Sequence, residues 1–283
     1  INNQKRLCKR LIEEFKAEKL TKKEVEEACS AAYAELEHYK QDVRDFAQNV
    51  IQKARAENRH LIMLVGRPYH IDPEINHGIA DMIESYGLAV ISEDSVYHEK
   101  IKVNKVGLIN QWSYHARLYH AAEFAVENKD VTLIQLSSFG CGLDAITTDQ
   151  VKEILEEHQR IYTLIKLDEV SNLGAARIRL RSLLAALARK SVPVFTPIPF
   201  TDRPHFTKEC VRKHTILAPQ MAPIHFELFK TVLAKFGYNV VIPALPDKSS
   251  IDLGLRYVNN DMCYPAIVVI GQMLEALKSG LYD

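Results

Sequence analysis

A chain of 283 residues exceeds one ordinary domain, and 47% hydrophobic against 25% charged residues is globular composition rather than disorder. Lys plus Arg and Asp plus Glu both number 36, so no net charge is available to hold nucleic acid or an anionic membrane. No apolar run reaches bilayer length, and Ile1-Asn2-Asn3-Gln4-Lys5-Arg6 lacks a secretion signal; with five scattered cysteines this predicts reduced thiols in a cytoplasm.

The first stretch, residues 1–58, reads as helical. Thr21 and Glu24 form a capping-box pattern, and Val25, Ala28, Ala32, Leu36, Tyr39, Val43, Phe46 and Val50 follow at helical spacing, predicting a long helix with one apolar face. Cys8 and Cys29 fall in the two helices of this segment and read as ordinary helix residues.

Residues 59–191 read as an α/β unit. Leu61-Ile62-Met63-Leu64-Val65 is a continuous apolar run, as a parallel strand buried on both faces requires. A helix around Asn76–Tyr86, a strand at Leu88–Ile91, a helix near Gln111–Glu127 and a strand at Val131–Leu136 follow. A helix from Thr148, a strand at Ile161–Leu167 and a helix from Ser171 to Arg189 complete a Rossmann-like parallel sheet. The Pro-rich stretch Val192–Pro204 lies in a linker over residues 192–212. Residues 213–283 then restart the pattern with a strand at Ile216–Pro219, a helix at His225–Phe236 and a strand opened by Gly237, the counterpart of Gly87. The restart looks like the first half of a second, similar unit. With no Met at the start, this predicts that the chain is a piece of a longer protein.

In parallel sheets the chemistry sits on loops at the carboxyl ends of strands. The first such loop holds Arg67, His70 and Asp72, a fixed cation, an imidazole and a carboxylate before a helix start, a set suited to an anion. Its prolines Pro68 and Pro73 equally suit a plain turn. The second loop sets Cys141 between Gly140 and Gly142, where a thiolate would serve as nucleophile, redox thiol or cluster ligand. The same residues spell Gly140-x-Gly142-x-x-Ala145, a dinucleotide fingerprint with Asp168 at the distance of a ribose acid, but a helix starting only at Thr148 would leave the glycines without a helix N-terminus. The third loop, Asp168–Asn172, is acidic and runs into a helix whose Arg177 and Arg181 share a solvated face. In the fourth, Cys263 opens a helix, a setting that favours metal ligation. Cys210, at the exit of the linker, has no such setting. No Cys-x-x-Cys or His-x-x-x-His pair marks a zinc site, and no Walker A motif is present.

Four stretches, Gly66-Arg67-Pro68-Tyr69-His70 through Gly78, Ser138 through Asp144, Asp168 through Arg181 and Tyr257 through Ala266, together resemble the acyl-CoA dehydratase activase-related proteins. These are similar to the activator and catalytic components of 2-hydroxyacyl-CoA dehydratases. The resemblance implies an anaerobic, low-potential electron-transfer system serving acyl-CoA dehydration, with a [4Fe–4S] cluster held by widely spaced cysteines. It implies Cys141 and Cys263 as cluster ligands in the intact protein, with further ligands outside this chain and no cluster in the piece alone. The implied partners are activator ATPase domains and dehydratase-like units of the same longer protein, and acyl-CoA, with no nucleic acid and no membrane. On this reading the isolated piece is inactive. The alternative is a Rossmann-type module binding a nucleotide or CoA, with Cys141 structural.

Overall fold

The computed structural model describes residues 3–97, 110–138, 141–167, 173–190, 195, 205–220, 222–259 and 261–282. Gly140, the acidic loop 168–172 and all of the Pro-rich stretch except Phe195 lie outside the described residues.

Helix α1 (Gln4–Glu14) is capped by Asn3, whose side chain accepts from the Arg6 N–H. Helix α2 (Lys22–Ala56) starts with the expected box: Thr21 Oγ1 accepts from the Glu24 N–H at 3.2 Å, and a Glu24 carboxylate oxygen accepts from the Thr21 N–H at 2.8 Å. Its apolar face departs from expectation. The buried positions are Val25, Cys29, Ala47, Ile51 and Ala54, while Leu36, Tyr39 and Phe46 are exposed. The buried residues of the helix cluster toward its two ends, so its middle is not selected into a core stripe.

Strand β1 (Leu61–Val65) is wholly buried, as its unbroken apolar run demands. Helix α3 (Ile79–Glu84), strand β2 (Ala89–Ser92), helix α4 (Ser113–Glu127) and strand β3 (Val131–Ser137) follow. Next come helix α5 (Gly142–Glu157), strand β4 (Thr163–Lys166) and helix α6 (Gly174–Ala188). The four strands form a parallel sheet in the order β2-β1-β3-β4, with Leu61 opposite Ala89 and Leu64 opposite Ser92. This is the Rossmann-like α/β architecture expected. Helix α6 buries Ala176, Leu180 and Leu183 and leaves Arg177 and Arg181 exposed, which fits a solvated arginine face.

The short helix α7 (Cys210–Lys213) leads into strand β5 (Thr215–Leu217), helix α8 (Pro223–Lys235) and strand β6 (Asn239–Val241); β5 and β6 pair in parallel as a separate sheet. Gly87 and Gly237 make the same turn. Each ends a helix at positive φ (+77° and +84°) two residues before a strand, a conformation that L side chains resist. Helices α9 (Lys248–Tyr257) and α10 (Tyr264–Lys278) close the chain.

By compactness the chain divides into two units, residues 1–103 with 116–134 and residues 104–115 with 135–283.

Candidate functional site

The arginine loop belongs to the first unit. It folds as a tight 3-10 turn over Pro68–Ile71. His70 is 2% exposed, and its Nδ1 accepts from the Arg67 N–H at 2.9 Å. That bond assigns the acceptor role to Nδ1. Asp72 Oδ1 accepts from the Glu74 N–H at 2.9 Å, and the buried Asn76 donates to the His70 carbonyl. Asn76 Oδ1 also accepts from the N–H groups of Gly78 and Ile79, so side-chain oxygen already serves those donors at the start of α3. With six residues, α3 is a single short turn and a half. His70, Asp72 and Asn76 thus shape and hold the loop, and the Arg67 backbone joins them.

The second unit brings together two residues that lie far apart in the sequence. Cys141 is the N-cap of α5 and Cys263 the N-cap of α10, both with extended backbone. Each carbonyl starts its helix: Ala145 N–H donates to Cys141 O at 2.9 Å, and Ile267 N–H to Cys263 O at 3.1 Å. Between them stands Gly142. A Cβ built on it would lie 3.0 Å from Met262 Sδ and 3.8 Å from Cys263 Sγ. The missing side chain therefore lets the residue-262 turn sit against the start of α5, and the two cysteines share one neighbourhood.

The turn that carries Cys263 is tied down by polar contacts. Asn259 donates to Asp149 Oδ1 at 2.8 Å, Lys166 pairs with Asp261, and the Asp261 N–H donates to Asn259 Oδ1 at 2.9 Å. Burial pushes Asp149 above the usual carboxylate range against the lowering effect of the Asn259 hydrogen bond. Tyr162 is held protonated, first by burial and then by the nearby Asp149 and Asp261 charges, and it donates to Gln135 at 3.1 Å. In the first turn of α5 the buried Asp144 lies 3.8 Å from His115 Nε2 at the start of α4. Sequence reasoning missed His115 and Met262. His115 is 29 residues from its acidic partner with no spacing motif, and a methionine beside a helix-opening cysteine reads as packing.

One expectation is overturned. Helix α5 begins at Gly142, not near Thr148. Glycine is a poor interior helix former but is tolerated in the first turn, where Asp144 complements the positive helix end. Gly142 therefore does stand at a helix N-terminus. Cys210 also differs from its reading as a residue without a setting. The Thr207 hydroxyl and N–H each lie 3.4 Å from its sulfur, and these hydrogen bonds lower its thiol.

Two thiols suit the soft iron of an iron–sulfur cluster, but a [4Fe–4S] cluster takes more thiolate ligands than two. Among the described residues no group of three or more His, Cys, Asp or Glu is placed to hold a metal ion. Among them, too, no helix is long and apolar enough to cross a membrane.

No curated protein and no solved structure matches the chain significantly. Residues 1–96 match the family model described as CoA enzyme activase uncharacterised domain (DUF2229). The matched segment comprises the helical pair, the arginine loop and the first two parallel strands, and over it the chain is similar to that CoA enzyme activase-related family.

Proposed function

We propose that the chain is part of an acyl-CoA dehydratase activase-like electron-transfer protein, and that Cys141 and Cys263 ligate one [4Fe–4S] cluster in the intact protein. The observation that carries the reading is that Cys263 Sγ lies against Gly142, the residue next to Cys141, where the N-termini of α5 and α10 meet. Backbone N–H groups of both first turns favour negative charge there, and a thiolate-bound cluster carries such charge. When bound, the cluster would supply a low-potential electron. The protein's own part is to hold the two sulfurs in a fixed pair, through the Asn259–Asp149 and Lys166–Asp261 ties. The remaining ligands of the cluster would come from other parts of the intact protein, in keeping with two thiols alone being too few.

The nucleotide- or CoA-binding reading gains from the early start of α5, which puts Gly142 in a helix first turn. Against it stands Met262, whose sulfur fills the space above Gly142 that a pyrophosphate would need. The cluster reading is preferred on that ground.

Anaerobic reconstitution of the intact protein tests it, with iron, sulfide and visible absorption as readouts. Cys141→Ser and Cys263→Ser should each lower bound iron, whereas Cys210→Ser should leave it unchanged. Unaltered iron in both of the first two variants would overturn the assignment.

A further inference from the structure

The N-terminal helical pair holds a second pair of thiols, unrelated to Cys141 and Cys263. In α1, Leu7, Cys8, Leu11 and Ile12 form the apolar face; in α2, Val25 and Cys29 lie one turn apart. Cys8 is 4% exposed and Cys29 5%, and with Val25 they make up the buried residues of this small core. The two cysteines thus pack in one buried cluster that joins the helices. Gln4, one turn before Cys8, donates to Ser30 Oγ at 2.8 Å, next to Cys29, and so holds α1 and α2 in register beside the thiols. The Cys29 side is not sealed. It lines an open apolar groove of about 510 Å³ with Leu7, Leu11, Phe15, Leu20 and Val25.

We propose that Cys8 and Cys29 are a dithiol site, oxidised by low-molecular-weight disulfides to an internal disulfide that staples α1 to α2. The groove gives a small disulfide a route to Cys29. The Cys29 sulfur attacks one sulfur of the reagent, its S–S bond breaks, and the first small thiol leaves with the proton that Cys29 gives up. The Cys8 sulfur then attacks the Cys29 sulfur of the mixed disulfide, and the second small thiol leaves with the Cys8 proton. Two protein thiols are oxidised and one reagent disulfide is reduced to two thiols. The order follows from access, because the groove is lined by Cys29; the neighbouring Cys29 thiol and burial also push the Cys8 thiol up, which slows its attack.

The test is incubation of the whole chain with glutathione disulfide, followed by thiol counting and mass mapping of proteolytic peptides. The expected result is loss of both thiols together and a peptide linking residues 8 and 29. That link should form faster in the folded protein than in urea. Cys8→Ser should stop at a glutathione adduct on Cys29, and Cys29→Ser should leave Cys8 slow to react. A link between 8 and 29 that is absent, or that forms no faster folded than unfolded, would overturn the proposal. Any bridge between Cys141 and Cys263 maps to different peptides and does not count for it.

Discussion

Glu93 follows β2 directly and is 3% exposed, and its Oε2 has no hydrogen-bond partner among the described residues. Burial raises its carboxyl from 4.5 to about 8, reinforced by Asp94 and opposed by Arg117. The sign follows from linkage. Below 4.5 neither the folded nor the unfolded state is ionised, and the residue is neutral to stability. As pH rises toward 8 the unfolded carboxyl ionises while the folded one stays protonated, so stability falls across that window. At pH 7 the loss has a ceiling of about 3 kcal/mol. Glu93→Gln should abolish this slope, and urea denaturation at pH 5 and pH 8 measures it. An unchanged slope in the variant would locate the titrating group elsewhere. In the arginine loop, His70 Nδ1 and Asp72 Oδ1 each accept from a neighbouring N–H group of the turn.

Helices α9 and α10 pack backbone to backbone. A Cβ on Gly271 would fall 1.8 Å from Ser250 O, and one on Gly254 2.3 Å from Ile267 O. Neither clash can be relieved by rotating a side chain. Gly271→Ala should therefore destabilise by roughly 1–3 kcal/mol through overpacking. At Gly280 a Cβ meets nothing within 4 Å, so alanine there bears only the strain of φ +66°, about 1 kcal/mol. Equilibrium denaturation of the two variants compares them, and equal losses would deny the close crossing. The parallel strands were legible because burial on both faces writes an unbroken apolar run, as at Leu61–Val65. The start of α5 was not, since Gly142 and Asp144 carry the same residue types that loops use. Nor could spacing show Gly142 against Met262, because they are brought together by the fold across more than a hundred residues.

At the scale of the first unit, α2 connects two cores. Val25 and Cys29 pack with α1, and Ala47, Ile51 and Ala54 are buried near its other end. From Ser30 to Phe46 no residue is buried. Hydrogen exchange should therefore show two protected stretches of α2 flanking a faster one, since opening there breaks few buried contacts. Uniform protection along the helix would mean that something covers the middle. The bare stretch also acts as a phase coupling. One residue inserted between Cys29 and Ala47 would turn the thiol-bearing pair by roughly 100° about the helix axis and advance it by about 1.5 Å. Seven inserted residues would return it to within about 20° of its original bearing, roughly 10 Å further out. The orientation of that pair is thus set by residue count modulo the helical turn, as a gear tooth is by its position on a shaft.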